Sequence, residues 1–161
     1  PFRENKFEWV GSLIVERLYL WSLDPNLHHQ INHLEEFAPR SIATARNTNV
    51  EQYLRRINYP SIKQVVMEEQ NMKMLFSHRV DALVGSEISL KYRAKALGFD
   101  FSKLHKVLEI KPLEANLSLA FSKNTSSEIV DRYRQAFKQL SQNNRLEAIR
   151  AKRHISETTD L

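Results

Sequence analysis

Along the 161 residues the spacing of hydrophobic positions changes repeatedly. Compact apolar runs of strand length alternate with stretches in which apolar residues return every three or four positions. Residues 7–10 and 13–22 read as extended. Asp24-Pro25-Asn26 is a turn signal, and 34–37 reads as a short helical piece stopped ahead of Pro39. A strand is predicted over 41–45. Thr48-Asn49-Val50-Glu51 then opens a helix as a capping box, in which Glu51 reaches back to the backbone N–H of Thr48. Val50, Leu54 and Ile57 fall on one face of that helix. A strand over 62–67 precedes a helix over 69–77 whose Met72, Leu75 and Phe76 point inward. A strand over 80–84 leads to Ser86, the cap of a helix that runs to about Leu97 and ends at Gly98. Further strands are predicted over 107–110 and 117–121. Thr125-Ser126-Ser127-Glu128 reads as a second capping box, opening a helix with Ile129, Tyr133, Phe137 and Leu140 on one stripe. A last helix covers 145–154, and 156–161 reads as a frayed tail.

This alternation predicts an α/β fold, a mostly parallel sheet with helices on both faces. Open sheets of that kind take ligands beyond the C-terminal ends of their strands. The strand end at Arg46-Asn47-Thr48 is the place to look. A helix capped by Thr48 leaves backbone N–H groups free in its first turn, with the positive end of the helix dipole behind them, and such a terminus suits a carboxylate or phosphate.

Composition narrows the chemistry. The chain is 42% hydrophobic and 27% charged, as an ordinary globular domain is. Its longest apolar stretch, 13–23, is interrupted by Glu16 and Arg17, far short of the roughly 20 apolar residues that cross a bilayer. With no cysteine there is no disulfide, thiolate nucleophile or cysteine metal site. The net charge of +5 raises the question of nucleic acid, but basic and acidic residues alternate along most of the chain. The densest basic patch, Arg145, Arg150, Lys152 and Arg153, lies at a helix C-terminus, where cations meet the dipole favourably. No nucleic-acid partner is expected. The three glycines, Gly11, Gly85 and Gly98, cannot spell a P-loop, a dinucleotide fingerprint or a nucleophile elbow. No cofactor is expected. His28, His29 and His33 include an i, i+4 pair, but the segment follows a turn and Glu36 alone adds a carboxylate. They read as a solvated loop rather than a metal site, and His78, His105 and His154 are isolated.

The stretch 71–85 reads as an amphipathic helix, a tight turn with Arg79-Val80-Asp81-Ala82, and an apolar strand. In this wording it resembles the second lobe of bacterial extracellular solute-binding protein family 3, the polar amino-acid type with the type II periplasmic-binding-protein fold. Asp81 is expected to be structural. The opening Arg3-Glu4-Asn5-Lys6-Phe7-Glu8-Trp9-Val10-Gly11 resembles the family's Arg-x-x-x-Phe-x-Trp-Val-Gly-Pro passage, with Ser12 in place of the proline. The resemblance implies that Arg3 forks onto a ligand carboxylate, a role that suits a planar, permanently charged guanidinium. Residues 42–49 resemble the strand and loop that complete the carboxylate clamp. Asn47 replaces the usual glycine, Thr48 follows it, and Asn49 stands where a threonine hydroxyl is common. Ser86 lies five residues beyond Asp81, where amino-acid binders carry an acid that pairs with the ligand ammonium. Ser86 offers a neutral hydroxyl, and Glu87 would have to swing in from the first turn of its helix. The stretch 117–123 and the two helices after it are similar to the family's return crossing and closing helices, so the resemblance covers 3–154.

From the resemblance we expect a fragment lacking most of the first lobe, and the start at Pro1 reads as a processed or truncated product. Residues 1–22 would be the end of a lobe-one segment and a first hinge crossing, 23–111 lobe two, and 112–161 a second crossing and the lobe-one C-terminal helices. The implied function is non-catalytic capture of a small polar, carboxylate-bearing solute in the periplasm for ABC-type uptake. Its partner would be a membrane permease. A standard α-amino acid is disfavoured as the ligand, because a buried ammonium needs a compensating anion. Two other classes stay open: the sensing module of a membrane-bound signalling protein, and a cyclohexadienyl-dehydratase-like enzyme, which would need a cleft acid. With lobe one incomplete, the Ile129, Tyr133, Phe137 and Leu140 stripe is expected to drive self-association.

Overall fold

The computed structural model describes residues 4–152. Its regular elements follow in the order β1 (Phe7–Glu16), β2 (Tyr19–Ser22), β3 (Ile42–Ala45), α1 (Asn49–Arg56), β4 (Ile62–Val65), α2 (Glu68–Phe76), β5 (Ala82–Gly85), α3 (Glu87–Leu97), β6 (His105–Glu109), β7 (Ala115–Ser122), α4 (Ser127–Gln142) and α5 (Arg145–Lys152). Short 3-10 turns, among them Leu27–His29 and Leu34–Phe37, fill several connections. The chain divides into two compact units: Arg17–Glu114, and the segments on either side of it.

The Arg17–Glu114 unit holds a five-stranded sheet in the order β4-β3-β5-β2-β6. β3 runs parallel to β4 and β5, whereas β2 is antiparallel to both β5 and β6. Four strands therefore point one way and β2 runs against them, a mostly parallel sheet as expected. Period-2 alternation sends successive side chains to opposite faces. Leu20, Ile42 and Ala82 enter one core with Phe37 and with Val50 and Leu54 of α1. Trp21, Ala43 and Leu83 enter the other with Met72 and Leu75 of α2 and Leu90 and Ala94 of α3. All four residues of β3 are buried because both of its faces are covered. Each large side chain so buried contributes roughly 1.5–3 kcal/mol.

Local signals account for the helix ends. Thr48 Oγ1 accepts from Glu51 N at 3.2 Å, and Ser86 Oγ accepts from Ser89 N at 3.3 Å. Gly98 ends α3 in the left-handed region at φ 74°, where a side chain would be strained. The first capping box differs in one respect. The Glu51 carboxylate bonds the N–H of Asn47 at 2.6 Å rather than that of Thr48, because Asn47 turns left-handed at φ 61° and brings its own N–H over the helix start. The second predicted box does not form: α4 begins at Ser127, and Ser126 at its cap makes no side-chain hydrogen bond. The extended run predicted over 13–22 is broken between β1 and β2, which pair with different partners.

In the other unit β1 and β7 form an antiparallel pair, from Phe7 opposite Ser122 to Glu16 opposite Ala115. Helix α4 lies on β1. Arg134 Nε donates to Trp9 O at 2.9 Å, and the Glu8 carboxylate takes Lys123 Nζ at 2.7 Å and Arg134 Nη2 at 3.1 Å. The predicted stripe of α4 is met in its second half and differs in its first. Val130 is buried and Phe137 and Leu140 are half-buried, whereas Ile129 and Tyr133 stay 43% and 51% exposed.

Candidate functional site

Three connections gather at the C-terminal edge of the parallel strands: 46–48 after β3, 66–67 after β4, and Ser86 after β5. Each opens a helix, so the N-termini of α1, α2 and α3 stand in a row along this edge.

The first connection is held from within. Glu51 is 8% exposed, and its carboxylate takes the Asn47 N–H, Arg55 Nε at 2.8 Å and Gln64 Nε2. The Arg55 hydrogen bond and then the Asn47 N–H hold its carboxyl below the usual range, against the opposing effect of burial. Thr48 Oγ1 donates to Ala45 O at 2.8 Å and lies 3.2 Å from Thr44 Oγ1. Asn49 Oδ1 accepts from Val50 N at 2.9 Å. The N–H groups of Val50 and Glu51 are therefore satisfied. Those of Thr48 and Asn49 take no acceptor among the described residues, which leaves two backbone donors beside the positive end of the α1 dipole.

Of the residues predicted to bind ligand, Asn47, Thr48 and Asn49 are contiguous in this turn. Ser86 lies in the connection after β5, next strand along. It is 4% exposed; its oxygen caps α3 and its carbonyl accepts from Ser89 Oγ at 3.2 Å. Arg3 lies outside the described residues.

Two cations beside the start of α3 escaped the sequence reading. Glu87, first residue of α3, pairs with Lys91 at 2.5 Å and with Lys106 of β6 at 2.6 Å. Partial burial pushes the Glu87 carboxyl up, but the hydrogen bonds from Lys106 and Lys91 outweigh it and the net shift is downward. Lys106 Nζ also stands 4.7 Å from the centre of the Tyr19 ring and 5.6 Å from that of Trp21, within cation–π range. Trp21 is fixed in turn by its indole N–H, which donates to Gly85 O at 2.9 Å. The i, i+4 spacing of Glu87 and Lys91 was visible in the sequence. Lys106 comes from another strand and carried no local signal.

Asp81 has the structural role expected of it. Its Oδ2 accepts from Ser41 N at 2.6 Å and from Ser41 Oγ at 2.7 Å, tying the approaches to β3 and β5 together. A cavity of about 240 Å³ beside it, lined by Arg40, His78 and Asp81 over Leu27 and Leu75, lies at the opposite edge of the sheet. His28 and His29 are exposed in their 3-10 turn, and among the described residues no cluster of three metal-ligating side chains occurs. No described helix is long and apolar enough to cross a membrane.

No protein-family model and no curated protein matches this chain. Solved structures match over nearly its whole length. A histidine kinase sensor domain with similarity to periplasmic binding proteins superposes with a TM-score of 0.71 at 17% identity, over 94% of this chain and 64% of its own. An ancestral amino acid-binding protein, described as a precursor of cyclohexadienyl dehydratase, gives 0.68 at 18% identity, over 94% and 63%. The substrate-binding protein of an amino acid ABC transporter from Streptococcus pneumoniae, bound to L-arginine, gives 0.68 at 15% identity, over 91% and 60%. The chain thus spans less than two thirds of the length of these three proteins. The likeness shows the fold, that of type II periplasmic-binding-protein-like domains, as the resemblance in the sequence implied.

Proposed function

We propose that this chain belongs to a solute-binding protein that captures a small, carboxylate-bearing solute without chemically changing it. The observation that carries the reading is the pair of N–H groups at Thr48 and Asn49 that take no acceptor among the described residues, at the strand edge where open α/β sheets bind ligands. The fold's occurrence in substrate-binding proteins supports it. In this reading the turn Asn47-Thr48-Asn49 receives one carboxylate oxygen, Arg3 takes the carboxylate bidentately, and Ser86 helps to shape the pocket wall. The protein works in the periplasm and delivers its solute to the membrane permease of an ABC transporter. The sensor domain among the similar structures favours a second reading, in which the same binding event is reported to a membrane-bound signalling protein. Neither requires a catalytic residue.

The test is a thermal-shift screen of the full-length protein against amino acids and organic acids, followed by calorimetry. Arg3→Lys keeps the charge and loses the fork. It should weaken binding of the best hit by roughly 1–3 kcal/mol, with little change in melting temperature. Unchanged affinity would remove Arg3 from the site, and a screen without hits would remove the reading.

A further inference from the structure

We propose that Asn71 is a specificity-determining residue of the solute site, and that the solute carries, apart from its carboxylate, a second hydrogen-bonding group that the Asn71 amide receives. The inference rests on the solute-binding reading above and adds a residue and a ligand feature to it. Asn71 lies on the buried side of α2 with Met72 and Leu75 and is 6% exposed. Its Oδ1 is enclosed and has no hydrogen-bond partner, the one such side-chain atom among the described residues. Buried polar atoms are almost always paired, because a carbonyl that gives up water without gaining a donor loses its solvation outright. The fold therefore gains nothing from an amide here, and a leucine would be buried at no such cost.

The place of Asn71 in the fold decides what the amide faces. Met72 and Leu75 share a core with Ala43 of β3 and Leu83 of β5. Asn71 stands one helical turn before Leu75, about 6 Å nearer the start of α2. Two residues along a strand rise by about the same distance, which leads from Ala43 to Ala45 and from Leu83 to Gly85 on the same face. Asn71 is thus level with the last residues of β3 and β5, and neither brings a polar side chain to meet it. Helical side chains lean toward the N-terminus of their helix. The amide therefore leans toward the C-terminal edge of the strands, where α2 begins. The end of β3 lies between α1 on one face of the sheet and α2 on the other. A solute whose carboxylate takes the Thr48 and Asn49 N–H groups on the α1 side presents its remaining groups toward α2. The amide offers both an acceptor and donors, and its last torsion is broad, so it turns to present either to a hydroxyl, an amine or an amide of the solute.

The experiment is calorimetry on the full-length protein with the amino acid or organic acid that scores best in the thermal-shift screen, and with analogues of it that each lack one polar group other than the carboxylate. Asn71→Leu should bind the hit about tenfold more weakly or worse. It should bind the analogue that lacks the partner group as the parent protein does. Without ligand, Asn71→Leu should melt no lower than the parent, because no hydrogen bond of the fold is lost. If Asn71→Leu does not fold, Asn71→Ala makes the same comparison in a smaller volume. Equal affinity of parent and variant for the hit would overturn the inference and leave the solute-binding reading standing. So would a variant that melts lower and loses affinity for hit and analogues alike, which would make Asn71 a structural residue paired to enclosed water. A hit with no hydrogen-bonding group besides its carboxylate would overturn it as well. A screen without hits would overturn both.

Discussion

Gly11 marks a close approach of α4 to β1: a Cβ built there would stand 2.2 Å from the Phe137 ring. No side chain fits without displacing that ring, so glycine at this position is a packing requirement rather than a turn signal. Gly11→Ala should cost about 1–3 kcal/mol, the usual range for overpacking. Adding Phe137→Leu should recover part of that loss, since the two residues share one contact. Urea denaturation of the two variants measures both numbers, and a neutral Gly11→Ala would show that α4 does not lie on β1 this way. In the sequence Gly11 was legible as part of a Trp-Val-Gly passage. Its partner, 126 positions later, was not.

The turn joining β3 to α1 is held by one acid. Glu51 binds the Asn47 N–H, an arginine one turn further along α1 and a glutamine on the neighbouring strand β4. Its carboxyl is held below the ordinary value of 4.5, chiefly by Arg55 and the Asn47 N–H. A carboxyl with a depressed folded pKa contributes stability that is complete above its unfolded value and is lost as pH falls through the folded one. Stability should therefore hold from neutral pH down to about 4.5 and decline below it. Glu51→Gln should be less stable than the parent at pH 7 and show a shallower acid decline. Thermal melts across this range test it, and parallel curves for the two proteins would mean that Glu51 does not anchor the turn. Thr48 and Glu51 were readable as cap and partner because they are three residues apart. Gln64 was not, because it reaches Glu51 only once β4 has paired with β3.

The two compact units differ in how much they bury. Arg17–Glu114 has a core on each face of its sheet. In the other unit Val130 is the one described residue that is buried, while Phe7, Trp9, Leu117, Ile129 and Tyr133 are 38–51% exposed. A two-stranded sheet is marginal by itself, and exposed apolar faces seek cover. We expect this chain to self-associate with rising concentration, by exchange of α4 and α5 between copies or by contact through these residues. Light scattering should show mass rising with concentration, and a monomer throughout would refute the expectation. The departure at the start of α4 has a geometric origin. One residue along a helix is a turn of about 100°, so the same apolar periodicity points Val130 or Ile129 at the sheet depending on where the helix lies.

What the sequence by itself determined was local: the α/β alternation, the caps at Thr48 and Ser86, the glycine stop at Gly98, and the absence of any phosphate-binding glycine loop. These rest on interactions across three or four residues, which a linear reading contains. Tertiary structure alone decided the strand order, with β2 running against the rest, because ladder hydrogen bonds join segments far apart in the chain. It also decided which first-turn acids are paired. Glu87 reads as an exposed first-turn carboxylate until β6 brings Lys106 to within 2.6 Å of it. An ion pair then depends on where a distant strand lies, and no spacing along the chain encodes that distance.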